Sequence, residues 1–153
     1  MRDSLADCAR DLGIEMQVQR LEASTRTVAD AATAVGCQEA EIAKSIVFVA
    51  DGDPVVCVAS GKHRVDTGKV ADLLDVAEVR QAQAEEVRAA TGFAIGGVPP
   101  VAHASQSIVL IDSDLQRFPA VWAAAGTPNA VFKIAPADLI RLTQGQVADI
   151  AKR

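Results

Sequence analysis

The sequence predicts one α/β domain across residues 1–153, with a sheet of mixed strand direction. Three observations predict this class. Short helical patterns alternate with apolar, strand-like runs along the chain. Two pairs of those runs flank tight turn signals, Asp51-Gly52-Asp53-Pro54 and Gly126-Thr127-Pro128-Asn129, and hairpins force antiparallel neighbours into the sheet. No glycine-rich phosphate fingerprint follows a first strand, which excludes a doubly wound nucleotide fold. No repeat, low-complexity tract or linker divides the chain.

The elements follow in order. Ser4 opens a short helical pattern, with Asp7 as the capping acid and Gly13 as its close. Ile14, Met16 and Val18 alternate with Glu15, Gln17 and Gln19, the pattern of a half-buried strand. A second helix begins near Thr27, carries Val28, Ala31, Ala32 and Val35 at helical spacing, and stops at Gly36. Residues 37–44 read as a further helical turn or two. Residues 45–50 and 55–59 form the arms of the clearest hairpin, and both are apolar on both faces, which places the pair centrally. Asp66 caps a helix over Thr67–Leu74, and residues 84–90 form another that ends at Thr91-Gly92. A glycine- and proline-rich loop spans 93–100, and a buried strand spans 107–112. Residues 120–125 and 130–134 make the second hairpin. Pro136 suits the first position of a helix reaching Thr143, and a last helical segment is expected from Gln146.

Composition narrows the function. Half of the 153 residues are hydrophobic, but there are only four Phe, one Trp and no Tyr, so base stacking on aromatic platforms is not the expected mode of binding. A formal net charge of −5 argues against the extensive phosphate neutralisation of a duplex or DNA binder. One local basic stretch, residues 62–69, holds Lys62, Arg64 and Lys69 against a single Asp66; it is either a patch for nucleic acid or a solvated loop. Cys8, Cys37 and Cys57 lack the spacing of a metal knuckle or redox pair, and their odd number fits a reducing, cytoplasmic setting. They read as small core residues. The sequence contains no apolar run of membrane-spanning length. No metal or other cofactor is expected.

Two places offer chemistry. Lys44 stands directly before the strand expected over 45–50, where a side chain projects over the end of a sheet; a helix C-terminal lysine complementing the dipole would occupy the same position. The loop Thr91-Gly92-Phe93-Ala94-Ile95-Gly96-Gly97-Val98-Pro99-Pro100 is the other. Adjacent glycines let backbone N–H donors approach a ligand, and adjacent prolines stiffen the exit, so the loop suits an oxyanion; a plain structural turn has the same composition. Of the two histidines, His63 and His103, neither has metal-ligand spacing, and His103 lies nearer the glycine loop.

These residues also form an ordered set: 43–48 (Ala-Lys-Ser-Ile-Val-Phe), Arg64-Val65-Asp66, Thr91-Gly92-Phe93 with Gly96-Gly97-Val98-Pro99-Pro100, Ile111-Asp112, Ala124-Ala125-Gly126 and Pro136-Ala137-Asp138-Leu139. From about Ile14 onward the chain resembles the YbaK/ProRS-associated family, the editing domains related to prolyl-tRNA synthetase. The resemblance implies a mixed, barrel-like sheet surrounded by helices and a trans-acting deacylase that clears a small amino acid mischarged on tRNA, usually tRNA for proline. It implies that Lys44 engages the 3′-terminal nucleotide of the aminoacylated CCA end, and that the loop from Gly96 to Pro100, with Phe93, Ile95 and Val98, contacts the aminoacyl group. His103 and the stretch Ala124-Ala125-Gly126 join the substrate-binding set, Lys62, Arg64 and Lys69 the tRNA-binding set, and prolyl-tRNA synthetase is the implied partner. The expected reaction is attack by a positioned water, or by water activated by a substrate hydroxyl, on an ester already activated, with the Gly96 and Gly97 N–H groups stabilising the oxyanion and no protein nucleophile.

The chain departs from the cysteine-editing branch, having Leu21 and Phe93 where tyrosines are typical and Val131 near the place of an acid. An apolar pocket for alanine or a slightly larger aliphatic or hydroxylated residue follows. Ala102 stands where relatives often have glycine. Two other readings stay open: a non-catalytic module of the same fold that binds aminoacyl ends or a synthetase, and a small-molecule esterase or amidase.

Overall fold

The computed structural model describes residues 5–14, 16–21, 27–101, 107–127 and 129–152. Its centre is the hairpin of β2 (Ile42–Ala50) and β3 (Asp53–Ser60), in unbroken register from Ala43↔Ser60 to Ala50↔Asp53. Asp51 and Gly52 make the turn with φ of 46° and 90°, the backbone sign that two-residue hairpins require. Asp51 accepts that geometry because its carboxylate receives the N–H groups of Ala77 and Glu78 at 3.1 and 2.9 Å.

Six further strands complete the sheet: β1 (Gln17–Arg20), β4 (Val79–Gln81), β5 (Ile108–Asp112), β6 (Val121–Ala124), β7 (Ala130–Ile134) and β8 (Gln146–Ala148). Their order is β1-β7-β6-β2-β3-β5-β8, with β4 attached to β2. The β2–β6, β3–β5 and β5–β8 pairs are parallel and the others antiparallel, so the mixed sheet is as expected. Around it stand α1 (Leu5–Asp11), α2 (Val28–Val35), α3 (Thr67–Leu74), α4 (Ala84–Thr91) and α5 (Pro136–Thr143).

Side-chain alternation explains why both hairpin arms are apolar throughout. Val47, Val56 and Val58 enter one core with Phe132, Val87 and Leu139, while Phe48, Val55 and Cys57 enter a second with Val70, Leu110 and Ile150. Burying each of these side chains contributes about 1.5–3 kcal/mol. The caps are where the local sequence puts them. Thr27 accepts the Asp30 N–H at 3.1 Å, Gly36 ends α2 at φ 74°, Asp66 accepts from Gly68 and Lys69, and Pro136 opens α5.

Four expectations are corrected. The segment from Gln146 is strand β8, not helix; it lies parallel to β5 from Leu110↔Gln146 to Asp112↔Ala148. Strand β4, which no local pattern announced, pairs with the far end of β2. β1 is an exposed edge strand of four residues; Ile14 is buried and Met16 packs against the core, but Val18 faces out, so the alternation from Ile14 to Gln19 marks a buried face only ahead of the strand. The helix expected over 37–44 contracts to a 3-10 turn at Glu39–Glu41 because β2 has already begun at Ile42. Lys44 is therefore inside a strand rather than in front of one. Ser4, Ala102 and His103 lie outside the described residues. Among the described residues, no helix is long and apolar enough to cross a membrane.

Candidate active site

The site begins with an interruption in the sheet. On the edge of β2 opposite β3, β6 pairs only at Ile42↔Trp122 and Ala43↔Ala123, and β4 only from Phe48↔Gln81 to Ala50↔Val79. Among the described residues, 44–47 have no strand on that side, and the one backbone bond there runs from the Ala82 N–H to the Val47 carbonyl, at 3.0 Å. A cavity of about 200 Å³ opens at this gap.

Both faces of β2 contribute to it: Lys44 and Ile46 from one, Ala43, Ser45 and Val47 from the other. Thr27 and Val28 at the start of α2, Val87, Val131 and Trp122 form walls, and Ile95, Gly96 and Val98 of the glycine loop close the rest. The structure thus brings Lys44, Ile95, Gly96, Val98 and Ala124 to one cavity. Lys44 is the one ionisable side chain among the described lining residues. Burial lowers its pKa, the nearby Arg64 lowers it further, and Asp112 partly opposes both. Ser45 Oγ is buried with no hydrogen-bond partner among the described residues.

The loop is held from its helix. The Thr91 hydroxyl donates to the Val87 carbonyl at 2.7 Å and accepts the Phe93 N–H at 3.1 Å, and Gly92 turns the chain at φ 82°. Ile95 stands 60% exposed at the rim, whereas Val98 and Pro100 are buried. Gly97 requires a correction. Its N–H donates to the Ala94 carbonyl at 3.0 Å, so it is committed to the loop's own turn and not offered to an oxyanion. What Gly97 provides is close approach: a Cβ there would meet Thr127 Cα at 3.1 Å and the Gly126 carbonyl at 3.2 Å. Gly126, at φ 108°, would in turn set a Cβ 3.2 Å from the Phe93 ring. Phe93, Gly97, Ala125 and Gly126 thereby seat the loop on the β6–β7 turn rather than lining the cavity.

The basic stretch divides. Lys62 and Arg64 are exposed. Lys69 is not a free cation: its ammonium is 3.0 Å from Asp149 and donates to the Ala151 carbonyl at 2.8 Å, tying α3 to the C-terminal segment. Sequence reading missed the partner of His63. Its Nδ1 lies 3.0 Å from fully buried Asp112 and its Nε2 lies 3.3 Å from Asp114. These three residues bring metal-ligand atoms within 4.8 Å of one another, but both ring nitrogens are spent on the carboxylates. Trp122, whose ring lies 5.9 Å below Lys133 Nζ, was also missed as a wall of the cavity. The thiolate, the nucleophilic form, is disfavoured at two of the cysteines. Burial pushes Cys57 up to about 12 and, with Glu41, raises Cys37.

Residues 22–142 match the sequence model of the aminoacyl-tRNA editing domain. The chain belongs to that family. The editing domain is 34% identical over 140 residues to "Uncharacterized protein YwhH" of Bacillus subtilis (strain 168), covering 90% of this chain and 88% of that protein. It is 28% identical over 123 residues to the "Putative Cys-tRNA(Pro)/Cys-tRNA(Cys) deacylase EbsC" of Enterococcus faecalis (strain ATCC 700802 / V583), covering 80% and 75%. A solved structure described as "Crystal structure of a putative trans-editing enzyme for prolyl tRNA synthetase" superposes with a TM-score of 0.90 at 43% identity, over 100% of this chain and 99% of that one.

Proposed function

We propose that this editing domain is a trans-acting deacylase that hydrolyses the ester of a small amino acid mischarged on tRNA, with tRNA for proline as the acceptor. The observation that carries the reading is the cavity: about 200 Å³, apolar walls, and Lys44 as its cation. That volume is below the roughly 300–1,000 Å³ of pockets for drug-sized ligands. In this reading Lys44 holds the terminal ribose or phosphate of the CCA end, and Gly96, with no partner for its N–H among the described residues, donates to the ester carbonyl. A positioned water attacks the carbonyl carbon, the oxygen gains charge as the tetrahedral intermediate forms, and collapse expels the ribose hydroxyl and leaves the free amino acid.

Ala43, Val87, Val98, Ala123 and Val131 offer a small acyl side chain contact without a partner for a thiol or a charge. The substrate is alanine or a slightly larger aliphatic or hydroxylated residue, in contrast to the cysteine in the name of the enterococcal relative. Such a wall discriminates one methylene by about 10–200-fold. The exposed Lys62 and Arg64 flank the acceptor end, and a net charge of −5 suits an end-on grip with delivery by prolyl-tRNA synthetase. The test is a deacylation panel on tRNAs for proline, alanine, serine, threonine and cysteine, each charged with several small amino acids. Release of alanine from tRNA for proline, lost in Lys44→Ala with the melting curve intact, is expected. Binding without turnover across the panel would leave a non-catalytic module, and hydrolysis that ignores the CCA end would leave a small-molecule esterase.

A further inference from the structure

We propose that the unpaired edge of β2 at Ser45 reads the reacting end of the substrate: its main-chain carbonyl accepts the α-ammonium and its N–H donates to the ester carbonyl. This rests on the deacylase reading above. Along an antiparallel strand, backbone polar groups alternate sides residue by residue. Val47 turns its carbonyl toward the gap, as its bond from Ala82 shows, so Ser45, two residues earlier, turns both its N–H and its carbonyl the same way. The β6 ladder ends at Ala43↔Ala123 and does not reach Ser45, and no other described backbone group bonds it. Buried main-chain groups are nearly always paired. An unpaired donor and acceptor side by side at a cavity wall match the complementary pair presented by an aminoacyl ester.

A second observation points the same way. The Ser45 hydroxyl is buried and without a partner, so this one residue carries three hydrogen-bonding groups unmet among the described residues, at the cavity. The location also fits the substrate's shape. Lys44 and Trp122 lie on one side of the gap, and Ala43, Val87 and Val98 on the other. A nucleotide held at Lys44 and a side chain seated against Val87 and Val98 put the ester at the gap, opposite Ser45. The commitment of the Gly97 N–H to Ala94 leaves the strand edge as the second donor that the oxyanion needs.

The first measurement compares alanyl-tRNA for proline with its lactyl counterpart, in which a hydroxyl replaces the ammonium, each rate divided by its spontaneous hydrolysis. Loss of the ammonium contact lowers the corrected kcat/KM by roughly 10–100-fold. Ser45→Pro deletes the edge N–H without breaking a ladder bond and is expected to lower kcat by roughly 10²-fold. Ser45→Ala keeps both main-chain groups and loses less. Should Ser45→Pro fail to fold, the wild-type amide answers instead: binding of 3′-alanylamino-3′-deoxyadenosine shifts the Ser45 ¹⁵N–H resonance and slows its exchange. A protein that hydrolyses alanyl-tRNA with an unchanged lactyl ratio and a silent Ser45 amide overturns this inference while sparing the deacylase reading. A protein that shifts the Ser45 amide yet turns over no mischarged tRNA supports the edge as a binding surface and overturns the enzyme.

Discussion

Gly61→Ala tests whether the width of the cavity is set from outside it. Gly61 follows β3 and donates its N–H to the Ile42 carbonyl at 2.7 Å, so it is pinned against the start of β2. A Cβ there would stand 2.2 Å from the Glu39 carbonyl oxygen and 2.4 Å from Val28 Cγ1, each about an ångström inside ordinary van der Waals contact. Val28 opens α2 and forms one cavity wall, and Glu39 opens the 3-10 turn before β2. Relief requires both segments to move off the sheet. Overpacking of this kind costs about 1–3 kcal/mol. For a domain of this size each kcal/mol lowers Tm by about 2–4 °C, giving a fall of roughly 2–12 °C. Because the displaced wall is the α2 side, which packs with Trp122 on the nucleotide side of the gap, KM for the aminoacyl-tRNA rises while the acyl preference holds. Thermal melting and paired deacylation assays read the two effects separately. A variant that melts within about 1 °C of the parent, with the same KM, refutes the reasoning.

Three further outcomes follow from the same geometry. Lys44→Met removes a half-buried cation that burial and Arg64 disfavour, so it raises the denaturant midpoint while abolishing deacylation. Since the folded-state pKa of Lys44 is lowered, the unfolded chain holds the proton more tightly, and the parent gains stability as pH rises toward 10.5; the advantage of the variant in denaturant midpoint is therefore full at pH 7 and shrinks in that alkaline window. Gly97→Ala forces the glycine loop off the Gly126-Thr127 backbone, and a several-fold loss of kcat/KM with a small change in Tm is expected from steady-state assays and melting. His63→Ala leaves fully buried Asp112 with the Ser60 and Asp114 N–H groups alone, and equilibrium unfolding should register a cost of about 1–3 kcal/mol.

What the sequence disclosed was local. The turn at Asp51-Gly52, the caps at Thr27, Asp66 and Pro136, and the stops at Gly36 and Gly92 depend on residues within a few positions, and they appear where the pattern sets them. Strands β4 and β8, of three residues each, exist because a distant strand offers them an edge, and nothing inside so short a segment announces that. The same difference runs through the site. Lys44 and the glycine loop stood out as motifs, but the gap that brings Lys44 and Gly96 to one cavity arises from two strands sharing one edge of β2 unequally. Composition identified Gly97 as special without saying whether its value lay in its N–H or in its missing side chain, and the close approach to Thr127 decides for the latter. His63 and Asp112 are 49 positions apart, beyond any spacing rule.

The break in the ladder along β2 also bears on how such a protein changes over time. Main-chain groups are common to all residues, so a grip built on the strand itself survives replacement of the side chains beside it. The walls at Val87 in α4, Val98 in the glycine loop and Val131 in β7 belong to separate segments and can be resized one at a time. One scaffold can thus be retuned from one misplaced amino acid to another by trimming or filling those valines, while the apparatus that holds the bond to be cut stays as it is.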